Sequence, residues 1–494
     1  MIKNISNFIK FFFLIVNLLL VIITLQYYEA SKLILLIFFL VNYSLVYYSF
    51  RDRSIYFEKY LSLFIWLGFT FKISIPYVAM FFGYTINPFP ENADYHLFSA
   101  KIYDEALIFS IIGFLGFLIS FIVRKKFIFF YPENNEILYN RLSEFYYKFR
   151  DKLIIIFFLF FTVLNILNLY FEIYQKGITS TFEPNIIVLL YKWLLLMGLS
   201  SFACMFVNYD LLKNKNHKIS SFAFLIESCS SNISILSRSF IFNIFILGMI
   251  YFEQIKKGLK LKFSFIIFSS FICLILFFTN ISLSTKLRTC VDNYSDNTKI
   301  EKVFFSKKCL TKNETINQSN PASKSEIKTY EKIFSLMISR WVGIDSMMAI
   351  MNKKDILSFK TYLIFLNEKY YENEQSLYEK YFLTRVNNSN RPLIINKVIL
   401  PGFLSYQSIS GSLIFVFFSC FLIGLIGGLL EKFCYKIAFK NRVLCAFISY
   451  IFVFRLIHFG YIPINSLTYF IVIIFTFTQY RIYNLFLNFI HKLK

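Results

Sequence analysis

The sequence predicts an all-α polytopic membrane protein, and three observations lead there. Of 494 residues, 57% are hydrophobic and only 16% charged, where a soluble globule would carry about 45–50% and 25%. Several apolar runs reach the roughly 20 residues that cross about 30 Å of hydrocarbon at 1.5 Å per residue. The basic residues behind the net charge of +23 gather in short connections between those runs, as the positive-inside rule describes. With no basic amphipathic domain and no zinc spacing, the charge argues for a lipid bilayer as partner and against nucleic acid.

Taken in order, the runs give about twelve crossings with both termini cytoplasmic. Phe8–Tyr27 is the first span. Lys3 and Lys10 precede and begin it, but the run is too long for a signal peptide and no small-x-small site follows. Leu33–Phe50 returns to Arg51 and Arg53, and Tyr60–Tyr84 goes out with Lys72 and Pro76 inside it. Lys72 has no partner that the sequence makes visible. After the outside loop Thr85–Asp104, Glu105–Val123 comes back to Arg124–Lys126. Leu153–Tyr174 and Ile186–Val207 go out and back, to Lys213, Lys215 and Lys218. Ser220–Phe252 is long for one span, short for two and basic on both flanks, so it reads as a hairpin turning near Ser234–Ser237. Leu261–Leu283 then goes out. Ser412–Leu430, Val443–Tyr461 and Pro463–Tyr480 complete the set, with Glu431–Arg442 and Arg481–Lys494 as basic cytoplasmic segments. The chain thus divides into residues 1–283 with about nine crossings, 284–411, and 412–494 with three.

Ser284–Gly411 is the long polar segment, and it stands outside the cytoplasm on this orientation. Thr285–Ser325 reads as irregular, Glu326–Asn352 as an amphipathic helix, Tyr362–Leu383 as mostly helical and Asn387–Pro392 as a turn. Leu393–Ser412 leads back through Pro401-Gly402. On a wheel at 100° per residue, Ile333, Met337, Ile344, Met348 and Met351 share one stripe flanked by Leu336, Trp341 and Met347. Arg340 falls in its middle, with Asp345 and Gly343 at its margins. A helix resting on the membrane face, with Trp341 as interfacial anchor, accounts for the stripe. Arg340 there either snorkels or pairs with an acid in the loop, or it points into a site that holds an anion. Of eight cysteines, Cys204, Cys229, Cys273, Cys420, Cys434 and Cys445 lie in or near spans as small apolar residues. Cys290 and Cys309 lie in the loop, where an oxidising compartment would pair them.

Charged residues inside spans are functional candidates. Counted from the outer ends, Lys192 and Arg455 lie about 9 Å deep, His458 about 5 Å and Arg238 about 3 Å. Arg455 and His458 stand one helical turn apart on one face. These groups converge on the outer headgroup zone, where positive-inside bias should deplete them, and together they suggest an anion site. Glu227 is the internal carboxylate, with Arg238 its nearest basic partner in sequence. P-loop, GxGxxG, GxSxG and HExxH motifs are absent. Four histidines, His96, His217, His458 and His491, are too scattered for a metal centre. No metal and no cofactor are expected. Catalysis would rest on Arg/Lys electrostatics with a carboxylate or histidine base.

Three stretches resemble the O-antigen polymerases (Wzy type), also described as oligosaccharide repeat-unit polymerases. Ser230–Ser239 is similar to their Ser-rich, Arg-bearing turn, Ser339–Ser346 to their Arg-aromatic-x-Gly-x-acidic loop helix, and Gly402–Leu430 to their late re-entry into the membrane. The spacing from Arg391 to Gly402 resembles a further loop pattern of the family. The resemblance implies a fold like that of C-type glycosyltransferases, in a bacterial inner membrane, with the large loop periplasmic. It implies a polyprenyl-diphosphate-linked glycan donor, a lipid-linked acceptor and a chain-length regulator as an additional partner. On it, Arg238 and Arg340 are ligands of diphosphate or glycan. Arg391, Arg455, Lys192 and Arg288 join the substrate-binding set by position, and Asp345 and His458 are candidate bases. Arg offers bidentate contacts to phosphate, and clustered cations stabilise a departing diphosphate. A ligase using the same donor, a flippase of lipid-linked oligosaccharide and a non-catalytic scaffold are the other classes this sequence admits.

Overall fold

A computed structural model describes residues 2–51, 54–83, 99–132, 141–176, 185–213, 217–237, 239–256, 263–294, 341–368, 376–382, 401–460 and 463–493; for 2–12, 185, 256, 263–264, 288–294 and 492–493 it describes the backbone alone. Those residues form helices and their connections, with no strand among them. In chain order the helices are α1 (Ile2–Tyr27), α2 (Lys32–Ser49), α3 (Tyr56–Phe81), α4 (Ala100–Ile128), α5 (Arg141–Phe171), α6 (Ile186–Leu212), α7 (His217–Ser234) and α8 (Phe240–Lys256). There follow α9 (Phe263–Tyr294), α10 (Ile344–Met351), α11 (Phe359–Leu366), α12 (Leu377–Phe382), α13 (Phe403–Ser408), α14 (Leu413–Ile437), α15 (Arg442–Ile451) and α16 (Pro463–Leu493). Among the described residues, eight helices are long and apolar enough to cross a membrane, namely α2 to α6, α9, α14 and α16. The chain is a multi-pass membrane protein.

Helix starts follow local chemistry. Ser31, Ser358, Ser412 and Asn441 each accept a backbone N–H three residues on, at the first turns of α2, α11, α14 and α15, satisfying donors that a helix start leaves open. Four helical stretches widen to π geometry: Trp66–Phe71 in α3, Arg124–Ile128 ending α4, Leu194–Gly198 in α6, and Phe452–His458 continuing α15. Such bulges recur where a helix must re-aim side chains.

Several boundaries differ from those read in the sequence. The final span before the loop continues as helix to Tyr294, because Thr285–Tyr294 contains neither Gly nor Pro to stop it. The serine-rich stretch agrees with its reading in being two helices, α7 ending at Ser234 and α8 starting at Phe240. Arg124, read as part of a solvated basic connection, is 1% exposed and its Nε donates to Glu58 Oε1 at 2.8 Å. Glu431, read as the start of a connection, lies inside α14 and is equally buried. Its carboxylate accepts the backbone N–H groups of Tyr56 (3.0 Å) and Phe57 (2.8 Å) at the start of α3. Ser449 donates to it at 2.7 Å, and the Tyr131 hydroxyl is a further donor. A charged acceptor at a helix N-terminus is favourable, and here it ties α3, α14 and α15 at one end of the bundle. The cysteines Cys204, Cys229, Cys420, Cys434 and Cys445 are buried thiols. The pairing expected of Cys290 and Cys309, and the turn Asn387–Pro392, lie outside what is described.

Candidate functional site

A lone cation midway along a membrane helix is costly, and Lys72 in α3 is 1% exposed. Its ammonium lies 2.8 Å from Asp345 Oδ2 and donates to the Trp341 carbonyl oxygen at 2.6 Å. Asp345 stands in the first turn of α10, where the helix dipole also favours negative charge. All eight residues of α10 are buried, packed against α4 and α13. This corrects the surface-lying helix read from the wheel. This described part of the loop packs into the bundle instead.

The reading of one helix across Glu326–Asn352 is corrected as well, because the chain is non-helical at Trp341–Gly343 and α10 begins only at Ile344. Backbone contact is the reason. A Cβ on Gly343 would lie 1.9 Å from the Gly68 carbonyl oxygen, and one on Gly68 would lie 2.2 Å from that of Val342. Only paired glycines let these two main chains touch, and they touch near the midpoint of α3. Non-helical backbone at such depth is tolerated where protein surrounds it. Trp341, expected at the interface, instead packs its ring 6.0 Å from Phe64, 5.8 Å from Phe242 and 6.0 Å from His458.

His458 completes the site from the end of α15. The Val342 N–H donates to its Nε2 at 3.3 Å, so the ring proton resides on Nδ1. Phe64 stacks obliquely on the imidazole at 4.8 Å. Gly402, with φ +80°, passes over the end of α15 and donates its N–H to the Phe459 carbonyl at 3.0 Å. An apolar cavity of ≈ 30 Å³ adjoins, lined by Phe69, Phe117, Val342, Gly402, Ile457 and His458 among others. That volume holds a water molecule and no sugar. In the described arrangement, two candidate bases, Asp345 and His458, meet at one loop segment, each engaged by a partner.

The other sequence candidates fall as follows. Arg455, one of the substrate-binding set, is half-buried with its guanidinium 5.2 Å from the Phe454 ring. It lies in the π-helical stretch, where the 100° spacing used to align it with His458 does not apply. Lys192 is half-buried between the rings of Tyr174 (6.0 Å) and Tyr469 (5.7 Å), a different set of aromatic neighbours from those around Trp341. Arg288 lies on α9, with only its backbone described. Arg238, Arg340 and Arg391 lie outside the described residues, though Arg340 directly precedes Trp341. Among the described residues no group of three or more His, Cys, Asp or Glu side chains could hold a metal ion. The residue that sequence reasoning missed is Lys72. A cation in mid-span requires a carboxylate, and that requirement was the signal. Comparison with protein-family models, with curated proteins and with solved structures finds no match for this chain.

Proposed function

We propose that this chain is a glycosyltransferase that polymerises polyprenyl-diphosphate-linked oligosaccharide repeat units at the periplasmic face of a bacterial inner membrane. On this reading it makes twelve crossings, both termini are cytoplasmic and residues 284–411, apart from the segment Trp341–Met351, are periplasmic. The observation that carries the reading is the re-entrant segment Trp341–Met351. It joins a loop that would meet glycan to the membrane interior that would meet polyprenyl, and it brings two candidate bases to one point. The acceptor hydroxyl attacks the anomeric carbon of the donor's first sugar. The bond from that carbon to the diphosphate oxygen breaks, the diphosphate leaves with the electron pair, and a base takes the hydroxyl proton. His458 Nε2 is that base once the Val342 N–H withdraws, while Lys72 holds Asp345 in an ion pair. Arg340, Arg238 and Arg391 supply donors to the developing diphosphate charge.

Purified chain in lipid vesicles, given a polyprenyl-diphosphate-linked repeat unit, should yield a ladder of longer lipid-linked products. Single transfer to a different acceptor would make it a ligase. Movement of the lipid across the vesicle without condensation would make it a flippase, and either result overturns the polymerase reading.

A further inference from the structure

Most other carboxylates described in the bundle lie beside a cation. Asp345 has Lys72, Glu58 has Arg124, Asp210 has Arg150 and Glu253 has Lys59. Glu431 has two main-chain N–H groups at the start of α3. Glu227, fully buried on α7, differs from all of them. Its oxygens meet three neutral hydroxyls, from Ser200 at 2.7 Å, Ser231 at 2.8 Å and Ser228 at 3.4 Å. The π-helical stretch of α6 ends two residues before Ser200.

The helices packed against α7 are α5, α6, α8 and α9. Their titratable and charged groups include Cys204 and Asp210 on α6, Arg150 on α5, Tyr251 and Glu253 on α8, and Cys273 on α9. Asp210 is held by Arg150 and Glu253 by Lys59, and Cys204, a buried thiol, is the one that faces Glu227. Among the described residues no cation touches Glu227. A bare carboxylate in such surroundings would be prohibitively costly, whereas a neutral carboxylic acid needs only the hydroxyls it has.

Further polar contacts lie along α7. Asn232 Nδ2 donates to the Ser228 carbonyl at 2.7 Å, and the Ser239 hydroxyl donates to Asn232 Oδ1 at 2.7 Å. Ser239 and Ser237 share a hydrogen bond at 2.7 Å, and Lys176 donates to Ser237 at 2.6 Å. These contacts join Asn232 to Ser237 and Ser239, and they stop short of the carboxyl at Ser228, whose hydroxyl meets Glu227 while its carbonyl meets Asn232. We propose that Glu227 is a proton-binding site inside the bundle, a neutral carboxylic acid held by the hydroxyls of Ser200, Ser228 and Ser231. The inference stands apart from the polymerase reading. It replaces the sequence expectation of Glu227 as a counter-ion to Arg238.

Infrared difference spectroscopy on the purified full chain in vesicles tests it. Wild type minus Glu227→Gln should show the carbonyl band of a protonated carboxylic acid, downshifted in D2O. If Glu227→Gln fails to accumulate, the same band is read in wild type through its shift on carboxyl-¹³C-glutamate labelling. Loss of carboxylate bands in place of the acid band, or their dependence on sodium, would mean an ionised Glu227 with a bound alkali cation and would overturn the proposal.

Discussion

Replacing Lys72 by Met isolates what the buried pair does. Side-chain exposure is 1% for Lys72 and 4% for Asp345, so solvent cannot take over from the lost partner. Breaking a buried pair from one side costs about 3–5 kcal/mol, because the remaining charge is stranded. That is about a 150- to 4,500-fold shift in a folding or docking equilibrium. Replacing both partners with apolar residues of similar size is often neutral. Lys72→Met should therefore lower membrane abundance and thermal stability in detergent, and Lys72→Met/Asp345→Leu should recover most of both. Polymer ladders should stay absent in the double variant, because Asp345 is gone from the site. A single variant as stable as wild type would refute the pairing argument. A stable double variant that still makes full ladders would refute a role for Asp345 in the reaction.

Gly343→Ala should destabilise by about 1–3 kcal/mol, the usual scale of overpacking, since the added Cβ would meet the Gly68 carbonyl at 1.9 Å; Gly248→Ala, with nothing within 4 Å, is the control and should be neutral or better in a thermal melt. Arg340→Ala should reduce polymerisation by about 10²–10³, the scale of a lost preorganised donor, and Arg340→Lys should be impaired because it keeps charge without the fork. Ladders and protein amount in both variants check this, and full ladders with Arg340→Ala would remove it from the site. Cysteine placed at Ser323 should react with an impermeant thiol reagent in spheroplasts; labelling only after lysis would reverse the orientation of residues 284–411.

Much of the fold was legible because bilayer crossing imposes length and polarity on each segment. Leu33–Phe50 against α2, or Pro463 at the start of α16, shows how directly apolar runs mark helices. What failed did so for particular physical reasons. The wheel over Ile333–Met351 assumed unbroken helical rotation, yet Gly343 marks the place where main chain meets main chain and rotation stops. Lys72 and Trp341 are 269 residues apart, so no local pattern relates them. Arg124 and Glu431 looked solvated because charge density near a span end suggests a connection, whereas each is satisfied by a distant helix. The π-helical stretches carry no periodic signature, and one of them re-aims Arg455 and His458. Asp345 and His458 were found from residue type and depth, but not their joint engagement by one loop segment.

The carboxylate of Glu431 also bears on biogenesis. It receives main-chain donors from Tyr56 and Phe57, 375 and 374 residues earlier in the chain. At about 5–20 residues per second of synthesis, roughly 20–75 s separate the emergence of those donors from that of their acceptor. During that interval the first turn of α3 must rely on water, lipid headgroups or an insertase for its hydrogen bonds. Nascent chains arrested before α14 should thus hold α3 loosely, and quality-control proteases should find their cut site there, at the oldest part of the bundle rather than the newest.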